Sequence, residues 1–182
     1  MTLLKHRLAE VQMNALRKSQ EPFLVAALFA IIIVAFWTLS PTYIPVPHRD
    51  SGIFLNIGSE ILRGKILYLQ TWDNKQPLLY FINAAGLWLG GGSIWGVWSL
   101  ELALFLIGMG SAYAMLRRTL TSWLSFVVVA ISFLTTFQVM SGNFSEEYAV
   151  VFQVAILAVL FLFYLPARNP KARSWAAVAM GI

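Results

Sequence analysis

Phe23 to Ser40 reads FLVAALFAIIIVAFWTLS, a run of 18 residues without a charge. As a helix it is roughly 27 Å long, close to the thickness of the hydrocarbon core of a bilayer. Lys5, Arg7, Arg17 and Lys18 precede it. The run is longer than the apolar region of a signal peptide, and it closes on Leu39-Ser40-Pro41 rather than on a small-x-small cleavage site. It therefore reads as an uncleaved anchor, 23–40, behind a cytoplasmic leader, 1–22. Leu3 to Leu16 is weakly amphipathic and is expected on the cytoplasmic surface.

The rest of the chain extends this reading. Of its 182 residues, 59% are hydrophobic and 12% charged, and mean hydropathy is +0.72. An ordinary soluble domain is about 45–50% apolar and about 25% charged. Too few charges remain to cover a soluble globule, which excludes a soluble domain, a disordered chain and a nucleic-acid binder. The net charge of +5 belongs, in a membrane protein, to cytoplasmic loops. The chain has no cysteine, so disulfides, zinc-thiolate sites and thiol nucleophiles are excluded.

Further apolar blocks at 93–116, 121–140 and 147–165 read as spans, and another opens at 174 and runs to 182. Leu78 to Leu89 is apolar but only 12 residues long, which suits an interfacial helix better than a crossing. If it does not cross, the leader, Arg117-Arg118, and Arg168, Lys171 and Arg173 are all cytoplasmic, while Glu146 and Glu147 are external. That arrangement satisfies the positive-inside rule at every short loop. The expected fold is an all-α integral membrane protein, a multi-span helical bundle with amphipathic juxtamembrane helices in a long first external loop, 41–92. Because the last run stops at Ile182, the chain reads as the N-terminal part of a larger protein.

The external loop carries most of the polar chemistry. Pro41, Pro45 and Pro47 make an extended exit. A helix is expected from Asp50 or Ser51, with Ile53, Phe54, Ile57, Ile61 and Leu62 on one stripe in the headgroup zone and Gly64 at its end. Tyr68, Trp72, Tyr80 and Trp88 are aromatics suited to that depth. Pro77 fits the first turn of the short apolar helix. Each polar candidate has a bland reading beside a chemical one. Asp50 can cap its helix or accept a proton; Lys75 can snorkel or bind phosphate. Glu146 and Glu147 can cap a span or hold a divalent cation. Glu101 is an intramembrane acid, a functional candidate by its position. His48 reads as a surface residue. Asn143-Phe144-Ser145 matches a glycosylation sequon of low specificity. Two acidic sites and a lysine converging on one membrane face suit an anionic, lipid-borne ligand.

Four stretches in this order carry a family resemblance. They are the basic leader with its single anchor; His48-Arg49-Asp50-Ser51-Gly52-Ile53-Phe54; Trp72-Asp73-Asn74-Lys75-Gln76-Pro77-Leu78-Leu79-Tyr80; and Gly142-Asn143-Phe144-Ser145-Glu146-Glu147-Tyr148-Ala149. Together they resemble the GT-C membrane glycosyltransferases. The nearest likeness is to the family-39/83-like group related to protein O-mannosyltransferases and the aminoarabinose lipid A transferase. Ser51 stands where many relatives have a second acid, Asn74 for their histidine and Gln76 for their first proline. The resemblance implies an inverting enzyme of the bacterial inner membrane. It would move a sugar from a polyprenyl-phosphate carrier to a hydroxyl of a lipid, glycan or protein acceptor on the external face. Asp50 would then be general base or hold a divalent metal ion, Mg or Mn, near the donor. Lys75 would contact the lipid phosphate, and Glu146, with Glu147, would support the site or the metal. Arg49 and Asp73 belong to the loop motifs. The rival class is a non-enzymatic polytopic protein, a transporter subunit or a lipid-binding assembly factor.

Overall fold

The computed structural model describes residues 2–45 and 47–164, with side chains from Gln20 onward. Among the described residues there are six α-helices and no strand. They are α1 (Thr2–Trp37), α2 (Arg49–Leu62), α3 (Pro77–Leu89), α4 (Ile94–Leu116), α5 (Ser122–Phe137) and α6 (Ser145–Val159). α6 runs on into a π-helical turn, Leu160–Tyr164. Among the described residues three stretches are long and apolar enough to cross a membrane: Gln20–Trp37 within α1, Ile94–Leu116, and Ser145–Tyr164. This is the pattern of a helical membrane protein. The expected block at 174–182, and Arg168, Lys171 and Arg173 before it, lie outside the described residues.

The helix ends follow local chemistry. Ser93 caps α4 by accepting from the Trp95 N–H at 3.3 Å, and Thr121 caps α5 by accepting from Leu124 at the same distance. α2 closes when the N–H of Gly64 (φ 87°) bonds the Ile61 carbonyl and that of Lys65 bonds the Glu60 carbonyl. The leader departs from expectation. It is continuous with the anchor in one 36-residue helix, about 54 Å long, because nothing between Leu3 and Phe23 stops a helix except Pro22. The apolar block at 121–140 yields a helix of only 16 residues, with Gln138 to Met140 turning away from its end.

Four helices form an up-down bundle. At one end Arg117 forms an ion pair with Glu21, its Nε donating at 2.9 Å, and the Ser122 hydroxyl donates to the same carboxylate oxygen at 3.1 Å. At the other end Trp37 packs on Trp95 and Trp98, each at 6.0 Å, and Trp98 donates its indole N–H to the Phe36 carbonyl at 3.1 Å. α1 and α5 therefore run one way, α4 and α6 the other. Between the ends Phe36, Phe105 and Phe133 are fully buried, with Phe36 and Phe105 tilted at 4.9 Å. Lipid-side residues such as Trp123, Ile131 and Ile107 remain exposed, as expected where hydrocarbon is the solvent.

α2 and α3 pack on each other at the Trp98 end. Phe54 and Ile57 of the α2 stripe bury against Leu79, Tyr80 and Tyr148, so its centre faces protein rather than headgroups. Only Ile53 and Leu62 stay exposed. α3 supplies an apolar partner, and Gly58 lets the two backbones touch at Ala84. Tyr80 is likewise buried rather than interfacial, whereas Trp72 and Trp88 are exposed.

α3 and α4 form a hairpin whose backbones meet at glycine. A Cβ on Gly86 would lie 2.6 Å from the Cα of Val97, and one on Gly96 only 2.0 Å from the Gly86 carbonyl oxygen. At its C-terminal end α3 adjoins Gly96, beside the Trp95–Trp37 contact that marks the end of the first apolar stretch. At its other end Lys75 touches Ser145, where the third stretch begins. Both ends of this 13-residue helix thus lie at one rim of the bundle.

The glycine contacts generate a paired prediction. Gly86→Ala forces the hairpin apart and lowers stability by about 1–3 kcal/mol. Gly52→Ala, with nothing within 4 Å of the added methyl, raises it by about 0.5–1 kcal/mol. Thermal unfolding of the detergent-solubilised full-length protein measures both.

Candidate functional site

Three clefts at this rim share their walls. The first, about 380 Å³, is bordered by Arg49, Asp50, Asp73, Asn74 and Lys75. The second, about 430 Å³, is bordered by Asp50, Phe144, Glu146 and Glu147 over a floor of Met140 and Val150. The third, about 350 Å³, runs between α3 and α6, with Lys75, Ser145 and Glu146 at its mouth and Leu78, Ile82, Ala149 and Phe152 beyond. Asp50 joins the first cleft to the second, Lys75 the first to the third, and Glu146 the second to the third. The residues singled out in separate sequence stretches therefore come together.

Lys75 is the centre of the polar contacts. Its ammonium donates to the Ser145 hydroxyl oxygen at 3.0 Å and stands 3.8 Å from Glu146, and the Ser145 hydroxyl donates to Glu146 at 2.8 Å. The Lys75 backbone is held on both sides. Its N–H donates to the Tyr80 oxygen at 3.1 Å, and its carbonyl accepts from the Tyr68 hydroxyl at 2.6 Å. Tyr80 in turn donates to Asp73 at 2.8 Å. Burial, reinforced by the Asp73 carboxylate, pushes the Tyr80 phenol above the ordinary tyrosine range. Asp73 thus serves as an anchor for the loop that presents Lys75.

Asp50 is exposed in the first turn of α2, one residue past the start of the helix. The N-cap position belongs to His48, so Asp50 is not the cap, though its charge still meets the positive end of the helix dipole. His48 is exposed with its ring edge against Phe144 at 6.0 Å. Arg49 is exposed on the first cleft.

Glu146 and Glu147 separate into two roles. Glu146 is exposed beside Lys75. Glu147 is buried, and one of its oxygens accepts from the N–H groups of Ser141 (2.8 Å) and Gly142 (3.1 Å), the other from that of Phe144 (3.2 Å). Glu101, 2% exposed, accepts the intervening Asn143 N–H at 3.0 and 3.1 Å. Four consecutive amides thus wrap two carboxyl groups. Positive φ at Gly142 (83°) and Asn143 (60°) aims the amides the same way.

Asn143 extends this turn into a hub that residue-by-residue reading missed. Its amide NH₂ donates to Ser51 at 3.0 Å and to Asn83 at 2.8 Å, and its side-chain oxygen accepts from Tyr148 at 2.9 Å. It ties α2, α3, α4 and α6 together. Its buried, fully engaged amide is also closed to glycosylation. Glu101 stood out in the sequence as an intramembrane acid, and Asn83 could have been flagged with it, since a lone polar residue inside an apolar run needs a buried partner.

The carboxylates fit a metal poorly. Asp50 and Glu146 border one cleft, but the Lys75 ammonium stands beside Glu146, the Glu147 oxygens are taken by amides, and no group of three or more His, Asp or Glu among the described residues could hold an ion. The chain matches no protein-family profile, no curated protein and no solved structure.

Two substitutions test how the site is held. Asn143→Gly keeps the left-handed turn but strands Ser51, Asn83 and Tyr148; it costs at least about 1–3 kcal/mol in detergent unfolding. Tyr80→Phe costs about 1 kcal/mol at neutral pH. Because the folded-state pKa of Tyr80 is raised, its contribution is complete below the ordinary tyrosine pKa and is lost as pH rises through the alkaline range. In Tyr80→Phe that part of the alkaline loss is absent from a stability–pH profile.

Proposed function

We propose that this chain carries the donor-binding and base-bearing part of an inverting GT-C-type glycosyltransferase, which moves a sugar from a polyprenyl-phosphate carrier to an acceptor hydroxyl at the external membrane face. The observation that carries the reading is the meeting of Asp50, Lys75 and Glu146 around joined clefts at one rim of an apolar bundle. One of those clefts leads from the ammonium into an apolar groove, a match for a ligand with an anionic head and a hydrocarbon tail. The excess of basic residues in the leader and at Arg117-Arg118 supports an external location for this rim.

The chemistry follows from charge and position. The acceptor oxygen attacks the anomeric carbon as the bond from that carbon to the carrier phosphate oxygen breaks. The phosphate departs with the bonding pair, and Lys75 stabilises its growing charge as a point cation. Asp50 takes the acceptor proton. Glu146 and Ser145 hold the Lys75 ammonium in place. No step is routed through a metal ion.

The reading is tested on the full-length enzyme. Asp50→Asn should leave insertion intact and cost at most the helix-dipole interaction, about 0.3–1 kcal/mol of stability, while transfer falls by roughly 10²–10⁴-fold, the usual worth of general base catalysis. Lys75→Ala should weaken carrier binding about ten- to a hundredfold. Near-normal transfer by Asp50→Asn would remove the base, and unchanged carrier affinity in Lys75→Ala would remove the phosphate contact.

A further inference from the structure

Between Gly64 and Trp72 the chain makes a small knuckle. The Tyr68 N–H bonds the Thr71 carbonyl at 2.7 Å, and the Gln70 side chain accepts the Ile66 N–H at 2.9 Å. Tyr68 sits at φ 65°, a conformation that costs an aromatic residue strain. It is held there by its hydroxyl bond to the Lys75 carbonyl and by its ring against Tyr80 at 6.3 Å. This built turn buries little of its own apolar surface. Ile66 is 58%, Leu69 77% and Trp72 74% exposed, and no charge lies between Lys65 and Asp73. An isolated exposed leucine is ordinary, but a self-closed turn that presents three large apolar side chains marks a contact surface.

We infer that this knuckle is a membrane-contacting wedge, with Leu69 and Trp72 inserted among the lipids of the leaflet at the site's rim. Three observations select lipid over a protein partner. Its root, Tyr68 on Lys75, is level with Ser145, where the third apolar stretch begins. Four residues separate it from α3, whose residues Leu78, Phe81, Trp88 and Leu89 form one exposed, charge-free stripe along the same rim. At its base Arg63 and Lys65 are exposed around the single carboxylate of Glu60, a net positive collar suited to lipid phosphates. Contact with the bilayer would also fix the depth of Lys75 through the Tyr68 bond.

The absence of cysteine makes the test direct. Nitroxides on Leu69→Cys, Trp72→Cys and, as a solvent control, Arg63→Cys are read in the full-length protein reconstituted into phosphatidylcholine–phosphatidylglycerol vesicles. Positions 69 and 72 should collide more with dissolved oxygen than with a water-soluble nickel chelate, and position 63 the reverse. Higher nickel accessibility at 69 and 72 means a solvent-exposed turn, and exclusion of both relaxers means a protein cover; either overturns the wedge. Should a labelled variant misfold, quenching by brominated lipid is compared between the unlabelled protein and Trp72→Phe. Loss of part of the quenching in Trp72→Phe supports the wedge, and identical quenching overturns it.

Discussion

A polar group inside an apolar bundle must find a partner, and here that constraint is met by folding a loop around two acids. Glu101 on α4 and Glu147 on α6 are both buried, and the N–H groups of residues 141 to 144 are spent on them. Everything at the rim depends on this turn. Asn143, at its centre, reaches the α2 helix that carries Asp50 and the α3 helix that follows Lys75. The next two residues, Ser145 and Glu146, are the ones that meet Lys75. The buried acids hold the frame, and the exposed acids, Asp50 and Glu146, face the clefts.

That division explains how much was legible beforehand. The apolar runs announced helices of membrane type, because runs of that length have no soluble alternative. The breakers were legible too: Pro77 opens α3 and Gly64 closes α2, whereas the capping by Ser93 and Thr121 emerged only from the structure. Motif order brought Asp50, Lys75 and Glu146 forward as a set, and the fold gathers them. What escaped depends on side chains far apart in sequence. Nothing near Asn143 says that its amide will meet Ser51, 92 positions earlier. Likewise, the amphipathic stripe of α2 looks the same whether lipid headgroups or another helix cover it, and only packing on α3 decides. Glu146 and Glu147 are adjacent and chemically alike, yet the helical turn of about 100° between neighbours sends one into the frame and the other to the cleft.

The two ends of the bundle also differ in kind. At the Arg117 end one ion pair and one hydroxyl join α1, α4 and α5. At the other, aromatic rings, close glycine contacts and the hydrogen-bonded hub crowd together. The first needs only to tie helices; the second must hold several polar side chains in fixed relation next to lipid.

The α3–α4 hairpin has a mechanical side. Where Gly86 and Gly96 touch, the two backbones have no slack, so α3 cannot slide toward α4 or be pressed closer to it. It can only tilt, and the glycine contact is then a fulcrum near one end of a lever. The Lys75 end lies about 15 Å away along the helix, so a tilt of about 10° moves it by roughly 3 Å. That stroke is comparable to the whole 3.0 Å reach from Lys75 to Ser145. Tyr80 and Asn83 lie between that fulcrum and the lysine, so their bonds to Asp73 and Asn143 set how far the lysine end can swing.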